Sequence, residues 1–217
     1  MTANPRKPAS AGRDLDAVLR AARACRECAA HLPLGPRPVL RAGAGARLLI
    51  VGQAPGTKVH ETGIPWNDAS GRRLRAWLDM DDATFYDESR IAIVPMGFCY
   101  PGTDPKGGDL PPRRECAPLW HPPLTAALPR VALTLLVGGH AQRWYLKERR
   151  RATMTETVRA FGDYLPDYLP LPHPSWRTTA WQAKNPWFDD AVIPALRARV
   201  HALVGDARRR ARRPARA

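Results

Sequence analysis

Four short runs of apolar residues are spaced along the chain, and each predicts a β-strand. They lie at residues 47–51, 90–94, 131–137 and 168–171. Runs of this length without polar alternation are typical of strands buried on both faces of a parallel sheet. The stretches between them are long enough for crossover helices, so the pattern indicates an α/β fold.

Five segments place apolar residues at helical spacing, at residues 14–30, 70–79, 112–120, 140–150 and 190–204. Asp14 is the expected N-cap of the first helix, and Gly205 is expected to end the last. Because strands alternate with helices, we expect a three-layer α/β/α domain with a short, mostly parallel four-stranded sheet.

The length of 217 residues and the hydrophobic content of 44% predict a single domain. Residues 1–13 and 206–217 lack apolar periodicity, so we expect two disordered ends around a domain at residues 14–205. No run approaches the roughly 18 apolar residues of a membrane span, and residues 1–13 lack the apolar centre of a signal peptide. These features favour a cytoplasmic, nucleoid-associated protein, which we expect to be a monomer.

The chain is strongly basic, with 34 Lys and Arg against 20 Asp and Glu and a net charge of +14. Such an excess predicts a polyanionic partner or an anionic surface. Residues 206–217 contain six Arg and one Asp, a net +5, so about +9 of the net charge lies in the rest of the chain. We therefore expect the predicted domain to have its own positive face.

Two polar, Gly- and Pro-rich motifs follow predicted strands. Gly52-Gln53-Ala54-Pro55-Gly56 comes directly after the first strand, and His173-Pro174-Ser175 comes after the fourth. Ligands of open α/β sheets bind beyond the carboxyl ends of the strands. The two motifs are therefore predicted to converge on one pocket.

Together these motifs resemble those of the uracil-DNA glycosylase superfamily, in particular its thermophile-type branch, family 4. The resemblance covers about residues 14–204 and implies an enzyme that hydrolyses the N-glycosidic bond of uracil in DNA, single- or double-stranded. It implies that His173 donates a hydrogen bond to the departing base and that Trp66 stacks on the base, in place of a Phe of the family. Further substrate-binding residues implied by the resemblance are Gly52, Ala54, Pro55, Gly56, Ser175 and Arg177.

The first motif departs from the branch, which has a Glu where this chain has Gln53. A neutral amide cannot take a proton from water. The role of placing water is then either reduced to orientation by Gln53 or passed to another carboxylate, Asp68 or Glu61. Asp68 is equally suited to be an acid at the start of the helix near Ser70.

A second departure concerns recognition of the base, because Pro95 lies at or near the position of the family's base-reading Asn. Asn67 or backbone groups around Gly97 are the candidates to replace it. These two departures leave an alternative open, a non-catalytic DNA protein of the same fold that binds uracil or other damage.

Four cysteines form a third pattern, with Cys25 and Cys28 in a Cys-x-x-Cys and Cys99 and Cys116 further along the chain. In a reducing compartment this arrangement indicates metal or cluster ligation, not disulfides. The resemblance implies a structural four-iron, four-sulfur cluster held by all four. Structural zinc is the alternative, because four thiolates suit both, and a metal module that binds protein partners is a further one.

Several other residues have expected roles. Basic side chains near the motifs suit phosphate contacts, which position a protein on DNA without reading sequence: Lys106, Arg113, Arg114 and Arg177. Asn185-Pro186 resembles the Asn-Pro that follows His-Pro-Ser in the family. His140 is expected near a helix start and not in catalysis.

Overall fold

Four parallel strands form a single sheet, in the order β2-β1-β3-β4. The computed structural model describes residues 11–105 and 107–205, with side chains from Leu15 onward. The strands are β1 (Leu48–Val51), β2 (Ile91–Ile93), β3 (Leu133–Val137) and β4 (Tyr168–Leu171). Apart from the half-buried Tyr168, their residues are buried. All four predicted strands and the parallel sheet are confirmed.

Helices cover both faces of this sheet. Within the described residues they are α1 (Ala11–Arg23), α2 (Thr57–Thr62), α3 (Ala69–Leu78), α4 (Asp82–Phe85), α5 (Cys116–Ala127), α6 (Gly139–Leu146), α7 (Met154–Arg159), α8 (Thr178–Ala183) and α9 (Ile193–Val204). One hydrophobic cluster joins α1, α5 and α6 to one face of the sheet. A second joins α3, α7 and α9 to the other face, which confirms the three layers.

Alternate strand residues separate these two clusters. Leu48 and Ile50 pack in the second cluster, whereas Leu49 and Val51 pack in the first. Successive side chains of a strand point to opposite faces, so a strand between two helical layers must be apolar throughout. The continuous hydrophobic runs of the sequence have this cause.

Helix boundaries differ from the sequence-based expectation. Helix α1 begins at Ala11, before the predicted Asp14 cap, and ends at Arg23; the cysteine segment after it contains only a 3-10 turn, Ala29–His31. Residues 1–10 and 206–217, most of the predicted disordered ends, lie outside the described part of the chain. Helix α5 begins at Cys116, and not at residue 112, then continues through Pro122 and Pro123. Proline disfavours helical backbone at the residue before it, so Leu110 and Pro111 stay outside the helix, and a turn at residues 114 and 115 leads into it.

Short helices were missed, because four to six residues are too few to show helical periodicity. Two of them matter for the pocket, since α2 follows the first motif directly and α8 follows the second. A π-helical turn, Phe188–Val192, precedes α9. In the described part of the chain, no helix has the length and apolar character needed to cross a membrane.

Candidate functional site

The two motif loops meet at one pocket of about 460 Å³ beyond the carboxyl ends of the strands. The backbone from Gly52 to Gly56 lines one side, and His173 and Ser175 line another. The predicted convergence of the two motifs is therefore seen in the structure. Other segments of the chain complete the walls, and the lining residues that they contribute include Pro65, Trp66, Asp68, Pro95, Asp104, Gly107, Gly108 and Asp109.

The first motif loop is held against the end of β2 by backbone hydrogen bonds. Met96 N–H donates to the Gly52 carbonyl at 2.9 Å, and Gly97 N–H donates to the Gln53 carbonyl at 2.9 Å. A methyl group on Gly52 would lie only 2.6 Å from Cζ2 of Trp66. Glycine is therefore required here for the indole to approach the loop backbone.

Trp66 lies between the pocket and the core. Its ring centroid is 5.7 Å from that of His173, with the ring planes tilted by 32°, and the ring also packs against the cluster beneath α3. Its backbone is left-handed, with φ of 58°. A methyl group on Gly71 would overlap the Trp66 carbonyl, at 1.7 Å, and Arg75 donates to that carbonyl at 3.2 Å. Trp66 thus lines the pocket and packs against the core at the same time.

His173 is held by the turn of its own motif. Its carbonyl accepts hydrogen bonds from the Ser175 N–H at 2.8 Å and from the Thr178 hydroxyl. Burial lowers the pKa of the imidazole below its usual value, while the charge of Asp68 opposes that shift. The ring is therefore neutral near pH 7, and a neutral imidazole presents one N–H donor.

Asp68 is the N-cap of α3, because its Oδ1 accepts from the Gly71 N–H at 2.7 Å. It also lines the pocket, so the capping role and a pocket role coexist. Neither Glu61 nor Asn67 is among the described residues that line the pocket. The structure thus gives no support to Glu61 as the water-placing carboxylate or to Asn67 as the base reader.

Residues 102–105 and 107–110 form a tight hairpin, a wall of the pocket that sequence analysis missed. Leu110 N–H donates to the Gly102 carbonyl and Asp104 N–H to the Gly108 carbonyl, both at 2.8 Å. Asp109 sits on the pocket side, with its Oδ2 3.2 Å from the position that a methyl group on Gly56 would occupy. The sequence of this loop is rich in Pro and Gly, and nothing in it indicated that Asp109 would face the pocket.

The hairpin is tied to both motif loops. Gln53 Nε2 donates to the Leu110 carbonyl at 3.2 Å. On the other side, Arg177 Nη2 lies 3.5 Å from the Gly107 carbonyl. Gln53, which the sequence analysis considered for the orientation of water, therefore also holds the hairpin to the first motif loop.

Pro95 lines the pocket and is supported from behind by a buried histidine. His121 Nε2 lies 2.9 Å from the Pro95 carbonyl, and Nδ1 lies 2.8 Å from the Tyr145 hydroxyl. Because a carbonyl can only accept, Nε2 must bear the hydrogen and Tyr145 must donate to Nδ1. Burial lowers the pKa of His121 to about 4, which keeps this arrangement neutral.

The basic residues predicted to contact phosphate have different settings. Arg113 pairs with Glu115 at 2.7 Å, away from the pocket, and Arg114 is exposed. Lys106 lies outside the described residues. Arg177 lines the pocket and lies over the ring of Trp176, 5.0 Å from its centroid. Trp176, which the sequence analysis did not single out, is 77% exposed at the pocket rim.

Two further expectations concern residues outside the pocket. Asn185 Nδ2 donates to the Trp181 carbonyl at 2.7 Å, and its Oδ1 accepts from Trp187 Nε1 at 3.1 Å. It therefore stabilises the end of α8. His140 is half-buried in the first turn of α6, in agreement with a role near the helix start.

The four cysteines line one small cavity on the α1–α5 side of the molecule. All are free thiols, and the Phe98 N–H donates to Cys116 Sγ at 3.4 Å. Burial raises the pKa of Cys116 to about 12 and also raises that of Cys99. No three His, Cys, Asp or Glu side chains of the described residues are placed to hold a single metal ion. The four sulfurs on a shared cavity, with an N–H donor to one of them, are nevertheless the donor type of an iron-sulfur cluster or of zinc; the fit is one of donor chemistry and not of spacing.

Comparison with known protein families gives one match. The family model described as the uracil DNA glycosylase superfamily matches residues 41–197, which is well over half of the chain. The matched region includes the whole sheet, both motif loops and the hairpin. It begins after Cys25 and Cys28, so only two of the four cysteines lie within it.

Proposed function

The chain belongs to the uracil DNA glycosylase superfamily, and we propose that it hydrolyses the N-glycosidic bond of uracil in DNA and leaves an abasic site. One observation carries this proposal. The glycine-rich loop after β1, the indole of Trp66 and the imidazole of His173 line a single pocket of about 460 Å³, a size typical of small-ligand sites. That combination provides a slot, a flat stacking surface and a hydrogen-bond donor.

Excision requires these features because charge separates as the bond breaks. Positive charge grows on the sugar and negative charge on the base, so a fixed donor aimed at the base lowers the barrier. His173 is suited to that role because its position is fixed by the Ser175 and Thr178 hydrogen bonds. Its neutral ring donates without placing a full positive charge in the pocket.

DNA is the substrate of this superfamily, and the pocket must receive a base that has left the stack. Two rim residues suit contact with the opened duplex. Trp176 presents an exposed ring, and aromatic faces stack on any base. Arg177 beside it is placed to contact a phosphate, a contact that positions the protein without reading sequence. The net charge of +14 favours association with the polyanion.

We further propose that Cys25, Cys28, Cys99 and Cys116 hold a four-iron, four-sulfur cluster, with zinc as the alternative. Such a group would cross-link the segment after α1 to the segment between β2 and α5, and so stabilise the hairpin indirectly. Protein purified without oxygen should then be brown and contain iron and sulfide. Colourless protein with one zinc would favour zinc, and folded, metal-free protein with four reactive thiols would exclude both.

A non-catalytic, damage-binding protein of the same fold is the second candidate, favoured by Gln53 and Pro95 at positions where the family's branch has Glu and Asn. An excision assay separates the two. Purified protein is incubated with a uracil-containing oligonucleotide, and alkali then cleaves any abasic site. Cleavage at the uracil position supports the enzyme, whereas binding of that oligonucleotide without cleavage supports the binder.

A further inference from the structure

The first motif loop, Gly52 to Gly56, contains no carboxylate, because Gln53 has a neutral amide. This poses a chemical question for the proposed reaction. Water near the sugar must be oriented, and its proton must be accepted, but the Gln53 amide can do only the first. That amide is also engaged, because its Nε2 donates to the Leu110 carbonyl at 3.2 Å. The acceptor for the proton must therefore come from another residue of the pocket.

Three carboxylates of the described residues line the pocket, and their settings differ. Asp104 is already engaged in an interaction of its own, which leaves Asp68 and Asp109. Asp68 uses Oδ1 to cap α3, through the Gly71 N–H at 2.7 Å. Protonation of Asp68 would weaken that cap. Within the described residues, the Asp109 carboxylate accepts no hydrogen bond from protein, yet it lines the pocket close to Gly56. Asp109 is thus the carboxylate that can take a proton without loss of a structural contact.

The position of Asp109 is fixed through its neighbour in sequence. The Gln53 amide holds the carbonyl of Leu110, one residue away, and Arg177 contacts the other end of the hairpin at Gly107. A Glu at position 53 would lack the N–H that this contact requires. Gln53 therefore supplies the donor that holds the Asp109 hairpin over the pocket.

We propose that Asp109 is the carboxylate that orients the attacking water and accepts its proton, and that Gln53 is a positioning residue that holds the Asp109 hairpin in place. This inference rests on the proposed glycosylase function and deepens it. The two residues together replace the single Glu of the family's first motif.

The proposed step balances as a hydrolysis. The bond between C1′ of the deoxyribose and N1 of uracil breaks, and its electron pair leaves with the uracil, whose oxygen accepts a hydrogen bond from His173. A bond forms between the water oxygen and C1′. One water proton passes to the Asp109 carboxylate and from there to solvent or to the uracil anion, so that no other reactant is needed.

The charged surroundings of Asp109 suit this task. Asp68, Asp104, Arg177 and the neutral His173 line the same pocket. Partial burial raises the pKa of Asp109, and the negative charge of Asp68 raises it further. A carboxylate with a raised pKa is a stronger base than an ordinary one, which suits a proton acceptor.

Asp109→Asn tests the proposal, because the exposed amide keeps the shape of the side chain and removes the base. We expect single-turnover excision to fall about a hundredfold, with affinity for uracil DNA and the melting temperature kept. The decline of the wild-type rate at acidic pH should also disappear in this variant. Asp81→Asn is the matched control, since Asp81 caps α4 outside the pocket and Asn is an equally good cap.

Gln53→Met tests the positioning role, because Met has a similar length and no N–H donor. It should lower excision by itself but add little to Asp109→Asn in the double variant, since both act through one carboxylate. Additive losses would overturn the link between the two residues.

The outcomes distinguish failure of the inference from failure of the proposed function. If the wild type excises uracil and Asp109→Asn keeps its rate, or if Asp68→Asn alone removes the acidic decline, Asp109 is not the base. If the wild type releases no uracil at any pH, the glycosylase function fails and this inference fails with it.

Discussion

The rings of Trp66 and His173 lie with their centroids 5.7 Å apart and their planes tilted by 32°. An aromatic face and a hydrogen-bond donor thus stand side by side on one wall of the pocket. Trp66 is held there by an uncommon left-handed backbone, which the lack of a side chain at Gly71 makes room for. Under the proposed function, the residue that stacks on the base and the residue that donates to it would lie within a few ångströms of each other.

Substitutions of Trp66 should separate stacking from core packing. Trp66→Phe keeps an aromatic face and should retain excision within about tenfold of the wild type. Trp66→Ala removes the face and should weaken binding of uracil DNA by about 1–3 kcal/mol, the usual contribution of base–aromatic stacking. Affinities are measured by fluorescence anisotropy, with Trp176→Ala as the comparison at the rim. Equal affinity for uracil DNA in Trp66→Ala and wild type would contradict the stacking role.

Gln53→Glu should lower excision, even though it restores the residue of the family's branch. The new carboxylate cannot donate to the Leu110 carbonyl, and it adds negative charge near Asp68 and Asp109. Single-turnover rates across pH 5 to 8 check this. The excision rate of Gln53→Glu should recover in part at low pH, because a protonated carboxyl has an O–H that can donate to the Leu110 carbonyl. An excision rate above that of the wild type at pH 7 would contradict the positioning role of the Gln53–Leu110 hydrogen bond.

His121 should make stability sensitive to acid. Its pKa is about 4 in the folded protein and near 6.5 in the unfolded chain, so the unfolded state binds the proton first. The free energy of unfolding should therefore fall by roughly 3 kcal/mol as pH drops from 6.5 to 4. Burial also lowers the pKa of His173 and His140. These two residues therefore add the same acid sensitivity to the wild type and to a His121 variant.

His121→Gln isolates this effect by denaturant unfolding at several pH values. The Gln side chain can still donate to the Pro95 carbonyl but does not titrate. The variant should lose less stability than the wild type over this pH range. An identical pH dependence in both proteins would show that His121 is not buried as a neutral group.

The fold could be predicted from sequence because one simple constraint governs it. Strands such as β1, covered by helices on both faces, must be apolar at every position, and this leaves a clear signal. The motif loops could also be placed, because the ends of parallel strands share one edge. Short helices such as α2 carried no such signal, since one or two turns show no periodicity.

The missed parts of the site depend on contacts between segments distant in sequence. Asp109 lines the pocket from a hairpin that contacts Gln53 and Arg177, both distant from it in sequence. His121 supports Pro95 from another layer of the molecule. Local sequence around Asp109 and His121 gives no sign of these partners. For the same reason the sequence could not show that Asp68 both caps α3 and lines the pocket.

Salt should weaken DNA binding steeply, and residues 206–217 should account for part of that dependence. Each phosphate neutralised contributes a slope of about 0.9 in log K against log salt for duplex DNA, and this segment contains six Arg and one Asp. Its deletion should flatten the slope and leave excision at low salt nearly unchanged. Loss of turnover at low salt would show that the segment takes part in the active site.

The central claim is that this pocket breaks the bond between uracil and deoxyribose with His173 as the donor. The most direct test quantifies free uracil released from a uracil-containing duplex under single-turnover conditions, for the wild type and His173→Ala. The account predicts that the wild type releases one uracil per site and that His173→Ala is slower by about a hundredfold, with DNA affinity nearly unchanged. Binding of the duplex by the wild type without release of uracil, or equal release by His173→Ala, would contradict it.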